Sequence, residues 1–170
     1  GVPADMYAKI IQLVQSNGAR AVLDSSGEPL RLGCLASPYL VKPNISEASQ
    51  ITSLPAETPD QILRLVKQFH GMGVKIIVIS AGENGAYCSD GKGMYFGQSP
   101  QITEKNPIGA GDAMLAGVLW SLGKEEMLSD ALRWGLACGA AAANMEGTGA
   151  PPKQIVQALY SKIHVETILR

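Results

Sequence analysis

Apolar residues recur at Met6, Ile10, Ile11 and Val14, the spacing of one helical face. The pattern predicts a helix from Asp5 to Asn17, with Gly18 placed to end it. The period then changes. "RAVLD" reads as a short strand that delivers Asp24 into the turn "SSGEP", and "PYLVKPN" as a second strand stopped by Pro43. Ser46 is placed to cap a short helix through Glu47 and Ala48, and a longer helix is expected from Pro59 to Met72 with Ile62, Leu65, Val66 and Phe69 inward. "VKIIVIS" is a nearly unbroken β-branched run, as in a strand buried on both faces, and it ends at Ala81-Gly82. "GAYCSD", Gly91 and "GKGMYFG" predict a small antiparallel pair at a sheet edge. Helices from Asp112 to Leu122, from Glu125 to about Asn144, and from Gln154 to Ile163 complete the pattern.

Strand and helix alternating in this order imply an α/β fold of three layers, a mainly parallel sheet covered on both sides by helices. In such sheets ligands bind beyond the carboxyl ends of the strands. Asp24, Asn44 and the Ser80–Gly85 turn all fall at such ends, and the architecture is expected to gather them at one edge.

Composition narrows the function. The 170 residues fit one domain, with 46% apolar and 17% charged residues and a formal net charge of −1. There is no basic excess to track a phosphate backbone, so nucleic acid is not an expected partner. No run reaches about 18 apolar residues, which argues against a membrane span, and "GVPADMYAKI" lacks a signal-peptide pattern. Cys34, Cys88 and Cys138 are widely spaced without a C-x-x-C, so reduced, mostly buried thiols in a cytoplasmic protein are expected. His70 and His164 are the only histidines, too few for a histidine-based metal cluster.

The densest chemistry lies in "NPIGAGDAMLAG". Gly109, Ala110 and Gly111 let backbone N–H groups approach a ligand closely, and the helix beginning there adds a partial positive charge. That makes an anion pocket suited to a phosphoryl group in transfer. Asp112 beside it would repel the anion but can accept a proton from an attacking hydroxyl. Asp in a first helical turn is also common as a plain helix-end residue. The chain has no G-x-x-x-x-G-K-[ST], so a P-loop enzyme is not supported.

Asn44 and Glu47 in "KPNISEASQ" suit hydrated Mg²⁺, with helix capping as the competing reading. Ser80, Gly82 and Gly85 in "SAGENG" offer backbone to a nucleotide, or simply form a tight turn. Asn144 with Gly147 and Gly149 could wrap a base or ribose, although the stretch is an ordinary helix end. Met114, Trp120 and Trp134 read as core.

Taken in order, "LDSSGEPL", "YLVKPNISEA", "IIVISAGENGA", "NPIGAGDAMLAG" and "AAANMEGTG" resemble the carboxyl-terminal half of a ribokinase-superfamily sugar kinase. The branch they resemble is that of 1-phosphofructokinase and tagatose-6-phosphate kinase, over essentially the whole chain. The resemblance implies a ribokinase-like fold and ATP-dependent phosphorylation of a phosphosugar (fructose 1-phosphate, tagatose 6-phosphate or fructose 6-phosphate) to a bisphosphate. It implies Asp112 as base, the amides of Gly109, Ala110 and Gly111 as anion hole, and Lys42, Asn44 and Glu47 around the ATP phosphates and Mg²⁺. Ser80, Gly82 and Gly85 would contact the nucleotide, Asn144 the adenine or ribose, and K⁺ accompanies some members of the branch. In the family "GVPADMY" follows a "GSLP"-like segment in mid-protein, so the amino-terminal half with the sugar-binding residues and the lid is expected to be missing. Homodimerisation through that lid belongs to the same expectation, as does inactivity of residues 1–170 alone. A kinase of another superfamily substrate, sugar or nucleoside, and a nucleotide-binding module without catalysis are the alternative readings.

Overall fold

The computed structural model describes residues 1–169, which fall into two compact units. The first comprises Gly1–Ile79 with Ser89–Lys92, and the second Ser80–Cys88 with the residues from Gly93 onward.

The first unit contains α1 (Met6–Ser16), β1 (Val22–Leu23), α2 (Gly27–Leu35), β2 (Leu40–Val41), α3 (Ile45–Thr52), α4 (Pro59–Gly71) and all but the last residue of β3 (Ile76–Ser80). β1 and β2 pair in parallel, Val22 opposite Leu40, and β2 pairs in parallel with β3, Leu40 opposite Ile76. Leu40, Val41, Ile77, Val78 and Ile79 have no solvent exposure, as a continuous apolar run in a parallel sheet requires. α4 buries the four expected side chains, Ile62, Leu65, Val66 and Phe69. Its start is fixed by a capping box: the Thr58 hydroxyl accepts from the Gln61 N–H, and the Gln61 side chain accepts from the Thr58 N–H. At its other end His70 Nδ1 meets the Val74 carbonyl at 2.9 Å and Nε2 meets Ser89 Oγ at 3.0 Å, a structural use of one of the two histidines.

Three sequence expectations are corrected in this unit. The "SSGEP" turn is the start of α2, whose buried Leu30, Gly33 and Cys34 have helical spacing and whose first turn carries the Glu28–Arg31 ion pair. The cap of α3 is Asn44 and not Ser46. In α1 only Ile11 is buried, while Met6 and Ile10 are 37% and 45% exposed. They share a face with Leu13, and that face is open to solvent within the described residues.

The second unit contains β4 (Ala86–Ser89), β5 (Met94–Gly97), α5 (Ala110–Leu122), α6 (Leu128–Ala143), α7 (Lys153–Tyr160) and β6 (Val165–Leu169). β5 pairs antiparallel with β6, Phe96 opposite Glu166 and Gly97 opposite Val165. The expected edge position of the β4–β5 pair is therefore wrong: the chain after α7 returns as a strand that covers β5. α6 starts at Leu128, three residues later than expected, because Glu125 adopts a left-handed conformation with φ 59°. Trp134 stacks on Tyr160 with centroids 4.2 Å apart and meets Trp120 edge-on, while Lys124 Nζ sits 3.6 Å above the Trp120 ring. Trp120 is 45% exposed, so it is a surface ring and not the core residue expected. No helix among the described residues is long and apolar enough to cross a membrane.

None of the three cysteines is in a disulfide. Burial pushes the Cys34 thiol up to about 12 and raises that of Cys138. Cys34 should thus resist iodoacetamide at pH 8 in the folded protein and alkylate only in denaturant, read by intact-mass spectrometry. Rapid modification of Cys34 under native conditions would contradict its burial.

Candidate active site

In the second unit, the loop entering α5 is anchored before the helix begins. The N–H groups of Lys105 and Asn106 both donate to the Ala143 carbonyl at the end of α6, at 2.9 and 3.1 Å. Asn106 Oδ1 then accepts from the Ile108 N–H, forming a side-chain turn that feeds Gly109. Gly109 has φ +82°, a left-handed conformation that glycine adopts without strain, and it stands at the N-cap with no capping side chain.

A helix leaves its first four N–H groups without intrahelical partners. Here these belong to Gly109, Ala110, Gly111 and Asp112. The Ala110 N–H donates to the Pro107 carbonyl at 3.1 Å. Those of Gly109, Gly111 and Asp112 have no protein acceptor among the described residues. Three donors are therefore open at the positive end of a 13-residue helix. Asp112 lies in this first turn, exposed, and its carboxylate has no hydrogen bond or ion pair among the described residues. Its side chain makes no cap, and it stands where an acid faces the positive end of the helix dipole.

Beside this end lies a cavity of about 660 Å³. Ser80, Gly82 and Gly85 line it, as do Ala110 and Gly111 of α5. The Ser80–Gly85 segment is a tight turn closed by the Ala81 N–H on the Gly85 carbonyl, 2.8 Å, with Gly82 and Gly85 both at positive φ. Met114, Leu136, Ala140 and Ala143 give the cavity an apolar wall, so Met114 is both buried and part of the site. Asn144 is the C-cap of α6 and does not line the cavity, although its neighbour Ala143 does. Sequence reasoning missed the loop from Gln98 to Glu104, which forms another wall and carries no motif. No Lys, Arg or His lines the cavity, whereas Glu83 and Glu104 do.

The first unit carries the other predicted residues. Lys42 follows β2 and Asp24 follows β1, and the two meet in an ion pair at 3.1 Å with side chains 8% and 31% exposed. Asp24 was placed at a strand end by sequence, but its pairing with Lys42 was not foreseen. Asn44 Oδ1 accepts from the Glu47 N–H, and Glu47 Oε2 accepts from the Asn44 N–H, both at 2.9 Å. This reciprocal box fixes both side chains at the start of α3 and leaves Glu47 Oε1 without a protein donor among the described residues. No cluster of three or more His, Cys, Asp or Glu able to hold a metal exists among the described residues.

A profile described as pfkB family carbohydrate kinase matches residues 1–155. The 1-phosphofructokinase of Bacillus subtilis (strain 168) is 30% identical over 164 residues, covering 96% of this chain and 54% of that protein. The crystal structure of phosphofructokinase-2 from Escherichia coli in complex with potassium superposes with a TM-score of 0.89 at 28% identity, over 95% of this chain and 53% of that one. Arabidopsis thaliana ribokinase complexed with ribose and ATP gives a TM-score of 0.81 at 23% identity, over 93% and 53%; at that identity the likeness speaks for the ribokinase-like fold alone. The chain spans about half the length of the proteins it matches.

The Asp24–Lys42 pair yields a test that needs no substrate. Asp24→Ala strands a nearly buried ammonium and should cost about 1–3 kcal/mol of stability in denaturant unfolding. Adding Lys42→Met should recover part of that loss. Strictly additive losses would show that the two groups do not stabilise each other.

Proposed function

This chain belongs to the pfkB family of carbohydrate kinases, and we propose on that premise that the protein moves a phosphoryl group from ATP to a hydroxyl of a phosphosugar. The acceptor class is fructose 1-phosphate, tagatose 6-phosphate or fructose 6-phosphate, and the product a bisphosphate. The observation that carries the reading is the unpartnered Asp112 carboxylate in the first turn of a helix whose donors are open.

The two features divide the work. Phosphoryl transfer needs positioning and charge neutralisation more than covalent help. The open amides of Gly109, Gly111 and Asp112 face the developing negative charge with fixed dipoles that need no reorganisation. Ala110 contributes by its small side chain, which leaves backbone accessible on the cavity wall. Asp112 accepts the proton of the attacking hydroxyl, and its carboxylate carries that proton away from the new ester bond.

A cavity of about 660 Å³ accommodates a nucleotide, with Ser80, Gly82 and Gly85 offering backbone and Met114 and Ala140 an apolar surface for the base. Asn144 stands next to the lining Ala143 and is assigned to the ribose or base edge. Lys42 supplies a cation for the phosphates, oriented by Asp24. Asn44 and Glu47 fit hydrated Mg²⁺: the capping box fixes them and Glu47 Oε1 remains for the ion's water shell. When bound, the ion would supply phosphate charge neutralisation. K⁺, which accompanies the Escherichia coli phosphofructokinase-2 structure, would meet no basic side chain in this cavity's lining.

The complete polypeptide should phosphorylate one of these phosphosugars in an ADP-coupled assay. Asp112→Asn keeps the shape but removes proton acceptance, so turnover should fall roughly 10²–10⁴-fold with ATP affinity little changed. A near-normal rate in that variant would remove Asp112 from the mechanism.

A further inference from the structure

Three glycines let α5 and α6 approach, and one of them lies under the open end of α5. A Cβ on Gly117 would fall 2.6 Å from the Trp134 carbonyl oxygen, and one on Gly135 would fall 2.6 Å from Val118 Cγ2. The Gly117 contact is with backbone inside α6, where hydrogen bonds on either side hold it in place, whereas the Gly135 contact is with a buried side chain and has the Met114 carbonyl 3.1 Å away.

Gly139 differs. A Cβ there would lie 3.1 Å from the Ala110 carbonyl oxygen and 3.2 Å from Met114 Cβ, close enough that a neighbour must yield by a few tenths of an ångström. Ala110 opens α5, directly after Gly109 in its left-handed conformation, and no side chain caps that end. The first turn of α5 is therefore the part able to yield. Gly139 also lines the cavity together with Ala110 and Gly111, so the helix contact and the site share one boundary.

Resting on the phosphoryl-transfer reading above, we propose that Gly139 is a positioning residue for the reaction. Its missing side chain sets where the three open amides and the Asp112 carboxylate stand relative to the transferred phosphoryl group. An added methyl would displace that turn while leaving the body of both helices packed. Alanine is also the better helix former, so a loss of activity would not track a loss of stability.

The test compares Gly139→Ala with Gly117→Ala and Gly135→Ala in the complete polypeptide. In-line transfer loses about 10²-fold for a misplacement of about 1 Å, so kcat of Gly139→Ala should fall about 5- to 10-fold with the KM for ATP within about 2-fold. Its melting temperature should stay near that of the wild type. The other two variants should melt earlier, and Gly117→Ala, whose contacts lie away from the cavity lining, should keep kcat within about 2-fold when assayed below its transition. A kcat for Gly139→Ala like that of the wild type, or an equal kcat loss in Gly117→Ala, would overturn the proposal. Amide chemical shifts of Gly109, Gly111 and Asp112 give a readout independent of turnover: Gly139→Ala should move them and Gly117→Ala should not. An enzyme without kinase activity but with those shifts moved would count against the proposed function and leave the positioning role standing. Unmoved shifts would remove that role.

Discussion

Everything proposed for this protein depends on one unsatisfied helix end. α5 begins without a capping side chain, and three of its first four N–H groups have no protein partner among the described residues. Such an end is costly unless water or a ligand meets it. The surroundings keep it open. Pro107 brings no donor of its own, Asn106 spends its side chain on Ile108, and the Ala143 carbonyl holds the preceding loop by two hydrogen bonds. A Ser or Asn at position 109 would cap the helix and close the site; glycine in a left-handed conformation cannot.

The electrostatics of the cavity follow from the same choice. Its lining offers two acids and no base, so the fixed positive charge nearest an anion there is that of backbone dipoles such as the start of α5. Asp112, exposed in the first turn of α5, has no ion pair among the described residues. The first unit uses the opposite arrangement. There Lys42 is nearly buried and already paired with Asp24, and Glu47 is held by a capping box, so charge and orientation are fixed in advance.

Much of this was legible in the sequence where one period or one motif dominated. α4 carries its apolar stripe, its cap and its proline in order, and all four inward residues are buried. β3 is a β-branched run buried as expected. Some errors are local, as where the Asn44–Glu47 box rather than Ser46 caps α3, and others turn on tertiary partners. "VETIL" alternates weakly and becomes a strand because β5 supplies a ladder for it. Met6 and Ile10 have perfect helical spacing, yet nothing among the described residues covers them. At the site, the glycine run and Asp112 could be read directly, whereas the wall from Gln98 to Glu104 could not. Loop walls are set by the path of the chain and not by residue type. The engagement of the Ala110 amide by Pro107 was equally invisible, since it depends on the exact turn taken before α5.

The place where a nucleotide's terminal phosphate binds decides whether the open end of α5 is a transfer site. A crystal structure of the protein with a non-hydrolysable ATP analogue would show it directly. The analogue should occupy the cavity lined by Gly82 and Ala110, with a terminal phosphate oxygen about 2.7–3.2 Å from the amide nitrogens of Gly111 and Asp112. The Asp112 carboxylate should point away from that phosphate, free to receive a hydroxyl. Phosphates bound elsewhere, with those amides still facing solvent, would contradict the claim that the open end of α5 is the transfer site.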